Sequence, residues 1–392
     1  MSPNEIQTEF RSQRQAWADR LRFHRRWLHR HPELSLEERE TARYIAGHLE
    51  AADVPCRLVE DCGVIADLRV SAALPTVAIR AEIDALPLGE QTGLPFASTC
   101  PGKMHACGHD ANAAVLLTLA ELLAGHRSAL PCNLRFLFEP GEECGEGANL
   151  MIRHGALSDP RPDCLLVFHF GNQQPRAMEI QQSVSTARTA GLELRIRGRS
   201  THFSQYDDGV DAMYAAARLV VAAHGLHGSL PTVHPFRLGL GILEAGIKGN
   251  IVAEQAFLKG SLRAFTNEDF SLVYEAFSNH IVQIEHDTGA KIELKLTRNI
   301  PPICNDPALV ARGCKAGRLV FGERFQLGTN PFLVGDNAAY YLEQVPGMRV
   351  VFLAGKDGEP AFPVHHPRFD LDEDVMTDAM EFFLAFLLPE ND

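Results

Sequence analysis

Asn133-Leu134-Arg135-Phe136-Leu137-Phe138 runs without a break into Glu139-Pro140-Gly141-Glu142-Glu143-Cys144-Gly145-Glu146-Gly147. The first part reads as a buried strand, and the second is a glycine-rich turn loaded with carboxylates. Glu142 and Glu143 repel one another, and the flanking glycines cost backbone entropy. A division of labour would justify the arrangement: one carboxylate holds a metal ion, and the other takes a proton from water. A solvated acidic turn is the plain alternative.

The same texture recurs on both sides of this stretch. Thr76 to Arg80 (TVAIR) and Asp163 to Phe170 (DCLLVFHF) read as buried strands, and Ala111 to Ala124 (ANAAVLLTLAELLA) as a helix. Strand–helix alternation predicts an α/β domain with a mostly parallel central sheet flanked by helices. In such sheets ligands gather beyond the carboxyl ends of the strands. Upstream, Phe10 to Arg30 is helical and basic. Ser35-Leu36-Glu37-Glu38 reads as a capping box opening a helix to about Ala51.

Near Ser183 the pattern changes. Leu192 to Arg197 (LELRIR) alternates, as a half-exposed antiparallel strand does. A helix (210–223), strands (236–243 and 253–265), a helix (269–287) and a strand (291–296) follow. We read 184–299 as a smaller α+β unit of two helices and four strands, inserted into a discontinuous catalytic domain of 1–183 and 300–392.

Composition narrows the function classes. In 392 residues the hydrophobic fraction is 45% and the charged fraction 22%, which excludes disordered, collagen-like and coiled-coil chains. A net charge of −13 argues against a nucleic-acid partner. No run approaches the ~18 apolar residues of a membrane span, and no secretion signal opens the chain. An odd count of nine cysteines argues against a disulfide framework and for the cytoplasm.

Other stretches could carry chemistry. In Met104-His105-Ala106-Cys107-Gly108-His109-Asp110, Cys107 and His109 cannot share a helix face but can converge in a glycine turn, with Asp110 suited to cap the next helix. Thiolate and imidazole together favour zinc or another late transition metal. His169 ends the strand DCLLVFHF, and His365-His366-Pro367 lies near the C-terminus. In Arg80-Ala81-Glu82-Ile83-Asp84 two carboxylates at i and i+2 can point the same way, as ligands or as supports for one. Each feature alone has an ordinary structural explanation. Their joint placement at strand ends and helix starts of one sheet is the argument for a metal site.

In order along the chain stand HPELSLEERET (31–41), RAEIDALP (80–87), MHACGHD (104–110), FEPGEECGEGA (138–148), GRSTHF (198–203), GIKGNIVAEQAFLKGSLRAF (246–265), YYLEQVPG (340–347) and HHPRFDLDED (365–374). Together they resemble the metal-dependent aminoacylase/carboxypeptidase family, in its branch of hippurate, indoleacetyl-amino-acid and aminobenzoyl-glutamate hydrolases. The resemblance covers nearly the whole chain. It implies an inserted dimerisation domain, a homodimer or higher assembly, and two divalent ions per subunit, zinc or manganese, with nickel or cobalt as further options. It assigns metal ligation to Cys107, His109, Glu143, His169 and His365, and the general base to Glu142. It makes His202 a group that reaches a neighbouring subunit's centre, Asn250 and Arg263 substrate contacts, and Asp84 a support for the metal site.

The sequence departs from the family pattern at Glu82, Asn112, Phe203 to Tyr206 and Gly335 to Asn337. None of these is a primary ligand. Three readings of function follow: hydrolysis of an N-acyl amino acid or similar small amide by an activated water; hydrolysis of another small C–N substrate, such as a primary amide, aryl amine or carbamoyl compound; and a non-catalytic metal- or ligand-binding relative. The spare carboxylate beside Glu143 argues against the last, since a binder needs no base.

Overall fold

The computed structural model describes residues 3–389. They divide into two compact units. The first runs to Ser185 and resumes over Cys304–Asn330 and from Asn337 onward. The second comprises Thr186–Ile303 and Pro331–Asp336. The short return of 331–336 to the second unit has no counterpart in the sequence reading, because no composition change marks it.

The first unit begins with helices α1 (Pro3–Ser12), α2 (Arg14–Arg30) and α3 (Arg39–Ala51). The basic helix expected over 10–30 is thus interrupted at Gln13. Strands β1 (Cys56–Val59), β2 (Gly63–Leu68) and β3 (Thr76–Glu82) follow, then α4 (His109–Ala124), β4 (Asn133–Glu139), α5 (Gly147–Arg153), β5 (Cys164–Gly171) and β6 (Ala177–Gln181). The second unit holds β7 (Arg188–Arg197), α6 (Ala212–Gly225), β8 (Phe236–Ala245), β9 (Gln255–Ala264), α7 (Asn267–Thr288) and β10 (Lys291–Ile300). The chain then completes the first unit with α8 (Pro307–Phe321), β11 (Phe325–Gly328), α9 (Ala339–Leu342), β12 (Gly347–Leu353) and α10 (Asp374–Leu387).

The large sheet has the order β1-β2-β4-β3-β5-β12-β6-β11. Its centre is parallel, with β3 beside β4 and β5, and β5 beside β12. Strands β3, β4 and β12 are buried along their whole length, which is why their sequences are mostly apolar rather than alternating, with a paired arginine in β3 and β4. Helix α4 packs between this sheet and α2, α3 and α10. It is buried over most of its length, Glu121 excepted, so its middle is almost wholly apolar. The register Glu82↔Glu139 brings the carboxyl ends of β3 and β4 level, and Val351↔His169 sets the end of β5 beside β12.

The smaller sheet is fully antiparallel, in the order β10-β7-β9-β8. Leu192, Leu194 and Ile196 of β7 alternate inward onto α6 and α7, through Leu219, Phe270 and Phe277. Strand β8 is an edge.

Candidate metal centre

Asp84 follows the end of β3 and is buried. One of its oxygens, Oδ1, lies 3.0 Å from His109 Nδ1. The other accepts from Ser35 Oγ at 2.7 Å and from the Glu143 N–H at 2.9 Å. His109 Nδ1 also lies 3.0 Å from the Asp84 carbonyl oxygen. Both neighbours are acceptors, so Nδ1 carries a proton, and Nε2 is the nitrogen able to offer a lone pair to a metal. That Nε2 is buried with no hydrogen-bond partner. A carboxylate orienting an imidazole whose other nitrogen is left bare is the usual support for a metal-bound histidine.

The turn preceding α4 converges Cys107 and His109. Gly108 takes φ +83°, a conformation that favours glycine. It also sits at the position expected for Asp110 as a cap. Asp110 instead lies in the first turn, with its carboxylate turned back to Arg25 (3.1 Å) and His29 (2.8 Å) of α2.

The loop after β4 brings Glu142 and Glu143 to the same place. A side chain at Gly147 would collide with the Pro140 carbonyl, so the loop closes this tightly only with glycine there. The Gly141 N–H donates to Glu38 Oε1 at 2.7 Å. Burial, reinforced by nearby Asp84, pushes the Glu38 carboxyl up to about 8. The expected capping box is therefore redirected. Helix α3 starts only at Arg39, Leu36 has φ +65°, and Ser35 and Glu38 spend their side chains on Asp84 and Gly141. Sequence reading missed this role because the same residue types at the same spacing would cap a helix.

His169 closes β5 with Nε2 at 3.5 Å from Cys107 Sγ. His365, at φ +67°, is tied by its N–H to the Ala106 carbonyl (2.7 Å), and its Nε2 lies 3.1 Å from Glu143 Oε1. Its neighbour His366 turns away, stacking on Phe362 and accepting the Arg368 N–H. Three overlapping sets result: Cys107, His109 and His169; Cys107, Glu143 and His365; His109, Glu142 and Glu143. Within each set the donor atoms lie within 4.8 Å of one another.

The electrostatics fit divalent cations. Burial pushes the Cys107 thiol up to about 12; a coordinated metal would hold it as thiolate. His109 stands well above its ordinary value, because Cys107 and Asp84 outweigh the burial that pulls it down. Burial raises Asp84 and Glu143, yet both end below the usual carboxylate range, held there by His109 and His365 respectively. A thiol, three imidazoles and a carboxylate around a bare buried nitrogen form a soft donor set suited to late first-row metals.

Glu82 does not join this cluster. It pairs with Arg80 and accepts from Asn112 Nδ2 at 2.8 Å. Arg80 also binds Glu139 through two 2.9 Å hydrogen bonds and reaches Asn337 Oδ1 at 2.6 Å. Glu82, Asn112 and Asn337, three positions that depart from the family pattern, thus meet in one buried network.

The remaining predicted residues lie in the second unit. His202 Nδ1 accepts from the Ser204 N–H (3.2 Å), and Asn250 is adjacent, its carbonyl accepting the Phe203 N–H at 3.1 Å. Arg263, on β9, donates to the Leu333 carbonyl at 2.7 Å. His202 follows the end of β7 that pairs with Gln255, whereas Arg263 lies eight residues further along β9. That is roughly 27 Å at ~3.4 Å per residue. Within one chain the fold does not bring these two together.

The sequence pattern of peptidase family M20/M25/M40 matches residues 78–388. The chain belongs to this family. An N-acetyl-L-cysteine deacetylase of Bacillus subtilis is 33% identical over 368 residues, covering 91% of this chain and 85% of that one. An N-acetyldiaminopimelate deacetylase of Streptococcus suis is 30% identical over 370 residues, covering 93% and 97%. Among solved structures, a Bacillus subtilis protein described as a dinuclear metal-binding peptidase of the M20 family superposes with a TM-score of 0.82 at 30% identity, covering 95% and 98%. This M20 chain is a metal-dependent hydrolase, with a mostly parallel central sheet flanked by helices and a separate antiparallel four-stranded sheet.

Proposed function

We propose that this hydrolase cleaves the amide bond of N-acyl amino acids, as a deacylase with two divalent ions per subunit. The observation that carries the proposal is the overlap of the three donor sets, with Cys107 common to two of them and Glu142 in contact range of His109 and Glu143. Cys107, His109, Glu143, His169 and His365 would hold the ions; their thiol and imidazole donors suit zinc, nickel or cobalt, and manganese is the further candidate that the family resemblance implies. Such ions, when bound, lower the pKa of water from 15.7 towards ~7 and polarise the scissile carbonyl.

The chain's own residues do the rest. Glu142 accepts the proton of the attacking water and delivers it to the leaving nitrogen. Asp84 holds the His109 tautomer, and Glu38 and Ser35 steady the turn that aims Glu142. Arg263 suits a substrate carboxylate, and Asn250, next to His202, would contact the substrate from the same side as that histidine.

We read the protein as a homodimer joined through the second unit. Edge strand β8 exposes Ile242 and Leu243, and α6 exposes Tyr214 and Val221, the last at 71%. An unpaired strand edge beside apolar side chains is a surface that pairs. The distance between His202 and Arg263 supports the same reading: the two cannot serve one centre from a single chain, and His202 of the partner subunit would stabilise the developing oxyanion. The odd count of nine cysteines accords with a cytoplasmic location.

A turnover screen tests this function. Purified protein with added manganese or zinc is offered a panel of N-acyl amino acids, simple amides and carbamoyl compounds, and products are identified by mass spectrometry. Release of free amino acid and carboxylic acid is expected. Turnover confined to carbamoyl or aryl-amide substrates would replace the deacylase reading with the other C–N hydrolase reading. An active monomer in sedimentation would remove His202 from the site.

A further inference from the structure

A second histidine–carboxylate constellation lies apart from the metal centre. His24 of α2, His48 of α3 and Glu121 of α4 place their donor atoms within 4.8 Å of one another. Glu121 is twelve residues beyond His109 on the same helix, about 18 Å away at 1.5 Å per residue. We propose that His24, His48 and Glu121 form a separate binding site for a late first-row divalent cation such as zinc, with Arg20 as its built-in competitor.

The geometry is close to what coordination requires. Tetrahedral zinc with bonds of ~2.0–2.1 Å sets its ligand atoms about 3.3–3.4 Å apart. His24 Nε2 lies 3.3 Å from the Glu121 carboxylate, and His48 Nδ1 lies 3.7 Å from it. The other nitrogen of His24 is 2.7 Å from the Tyr44 hydroxyl, which can accept its proton and so orient the ring for a metal on Nε2. Tyr44 is held in turn by a parallel stack on Trp27, with ring centres 3.7 Å apart.

The arrangement already gathers around a positive group. Arg20 Nη2 contacts Glu121 Oε1 at 2.5 Å and His48 Nδ1 at 3.2 Å, and its Nε reaches Glu121 Oε2 at 2.8 Å. A guanidinium is always a donor, so His48 Nδ1 presents a lone pair to the same point as the carboxylate. A cation exchanging for that guanidinium would inherit two aligned ligands. Arg20 can leave, since its side chain is 36% exposed on a long flexible arm. Burial holds both histidines below their ordinary value, which keeps lone pairs available at neutral pH. Arg20, His48 and Glu121 also line a cavity of about 430 Å³ with Gln13, Trp17 and Ala52, which leaves room for entry and for a fourth ligand from solvent. Two imidazoles and one carboxylate with an open position are a zinc-type set.

The test counts metal. Manganese-loaded enzyme is titrated with zinc, desalted, and its total manganese plus zinc per subunit is measured by mass spectrometry. The wild type is expected to hold one equivalent more than His48→Gln. Glu121→Gln should match His48→Gln. Should Glu121→Gln fail to fold, His48→Gln decides alone, because His48 is partly exposed and lies outside the metal centre. Removing the competitor with Arg20→Gln should tighten the extra equivalent by about tenfold, read by calorimetry. Equal metal content in the wild type and His48→Gln overturns the proposal. So does an Arg20→Gln protein that binds the extra zinc no more tightly than the wild type, or one that binds it when the wild type does not.

Discussion

Helix α4 carries donor atoms near both ends, and the two ends handle charge in opposite ways. At its N-terminus His109 is locked by Asp84 with one buried nitrogen left bare, and Cys107, Glu143, His169 and His365 converge on the same volume. Near its C-terminus Glu121 and His48 are satisfied by a guanidinium from α2. The first cluster keeps a buried imidazole nitrogen without a hydrogen-bond partner; the second is closed by an arginine. A site that leaves buried polar atoms unpaired carries a desolvation cost that only a ligand offsets.

The sharpest way to break this comparison is to remove metal. Chelation should abolish turnover, and added manganese or zinc should restore it; full activity in metal-free protein would mean the donors gathered at the N-terminal end serve something else. Next in size is Glu142→Gln, which should keep metal content and fold while kcat falls by about 10³-fold. Wild-type turnover in that variant would take the base role away from Glu142.

A smaller effect is expected from Asp84→Asn. An amide can still accept from His109, but its NH₂ would then face the donors Glu143 N–H and Ser35 Oγ. Metal affinity should fall roughly 10- to 100-fold, measured by competition with a chelator of known affinity; unchanged affinity would show that the orienting carboxylate is dispensable.

A further effect, on stability rather than on metal or turnover, arises at the same helix end. Burial lowers His29, but Asp110 and Glu90 outweigh it and push it up to about 9. Its folded value lies above the unfolded one, so its contribution is complete below about pH 6.5 and fades as pH rises towards 9. We expect thermal stability to decline over that window by on the order of 3 kcal/mol, and His29→Gln to flatten the decline. An unchanged slope in His29→Gln would show that the buried pair with Asp110 does not govern it.

Much of the centre was legible in the sequence because its donors sit where apolar strands end. Glu142 and Glu143 follow β4, His169 closes β5, and Asp84 follows β3, so the rule that ligands gather at carboxyl ends located them without coordinates. Other features could not be read. Ser35 and Glu38 have the spacing of a helix cap, and only the approach of the β3 and β4 loops turns them towards Asp84 and Gly141. Asp110 looks like a cap residue, but Gly108 takes that position and Arg25 and His29 claim the carboxylate. His24, His48 and Glu121 are spread over nearly a hundred positions and meet only because three helices pack side by side.

By itself the sequence determined the class of layers, the strands and the residue types able to hold metal, since hydrophobic periodicity and turn chemistry are local properties. The tertiary structure alone decided which histidine nitrogen is bare, which carboxylate is spent on an arginine, and that His202 and Arg263 stand at opposite ends of one sheet. Those outcomes depend on strand register and helix packing, which bring together atoms that no local pattern relates.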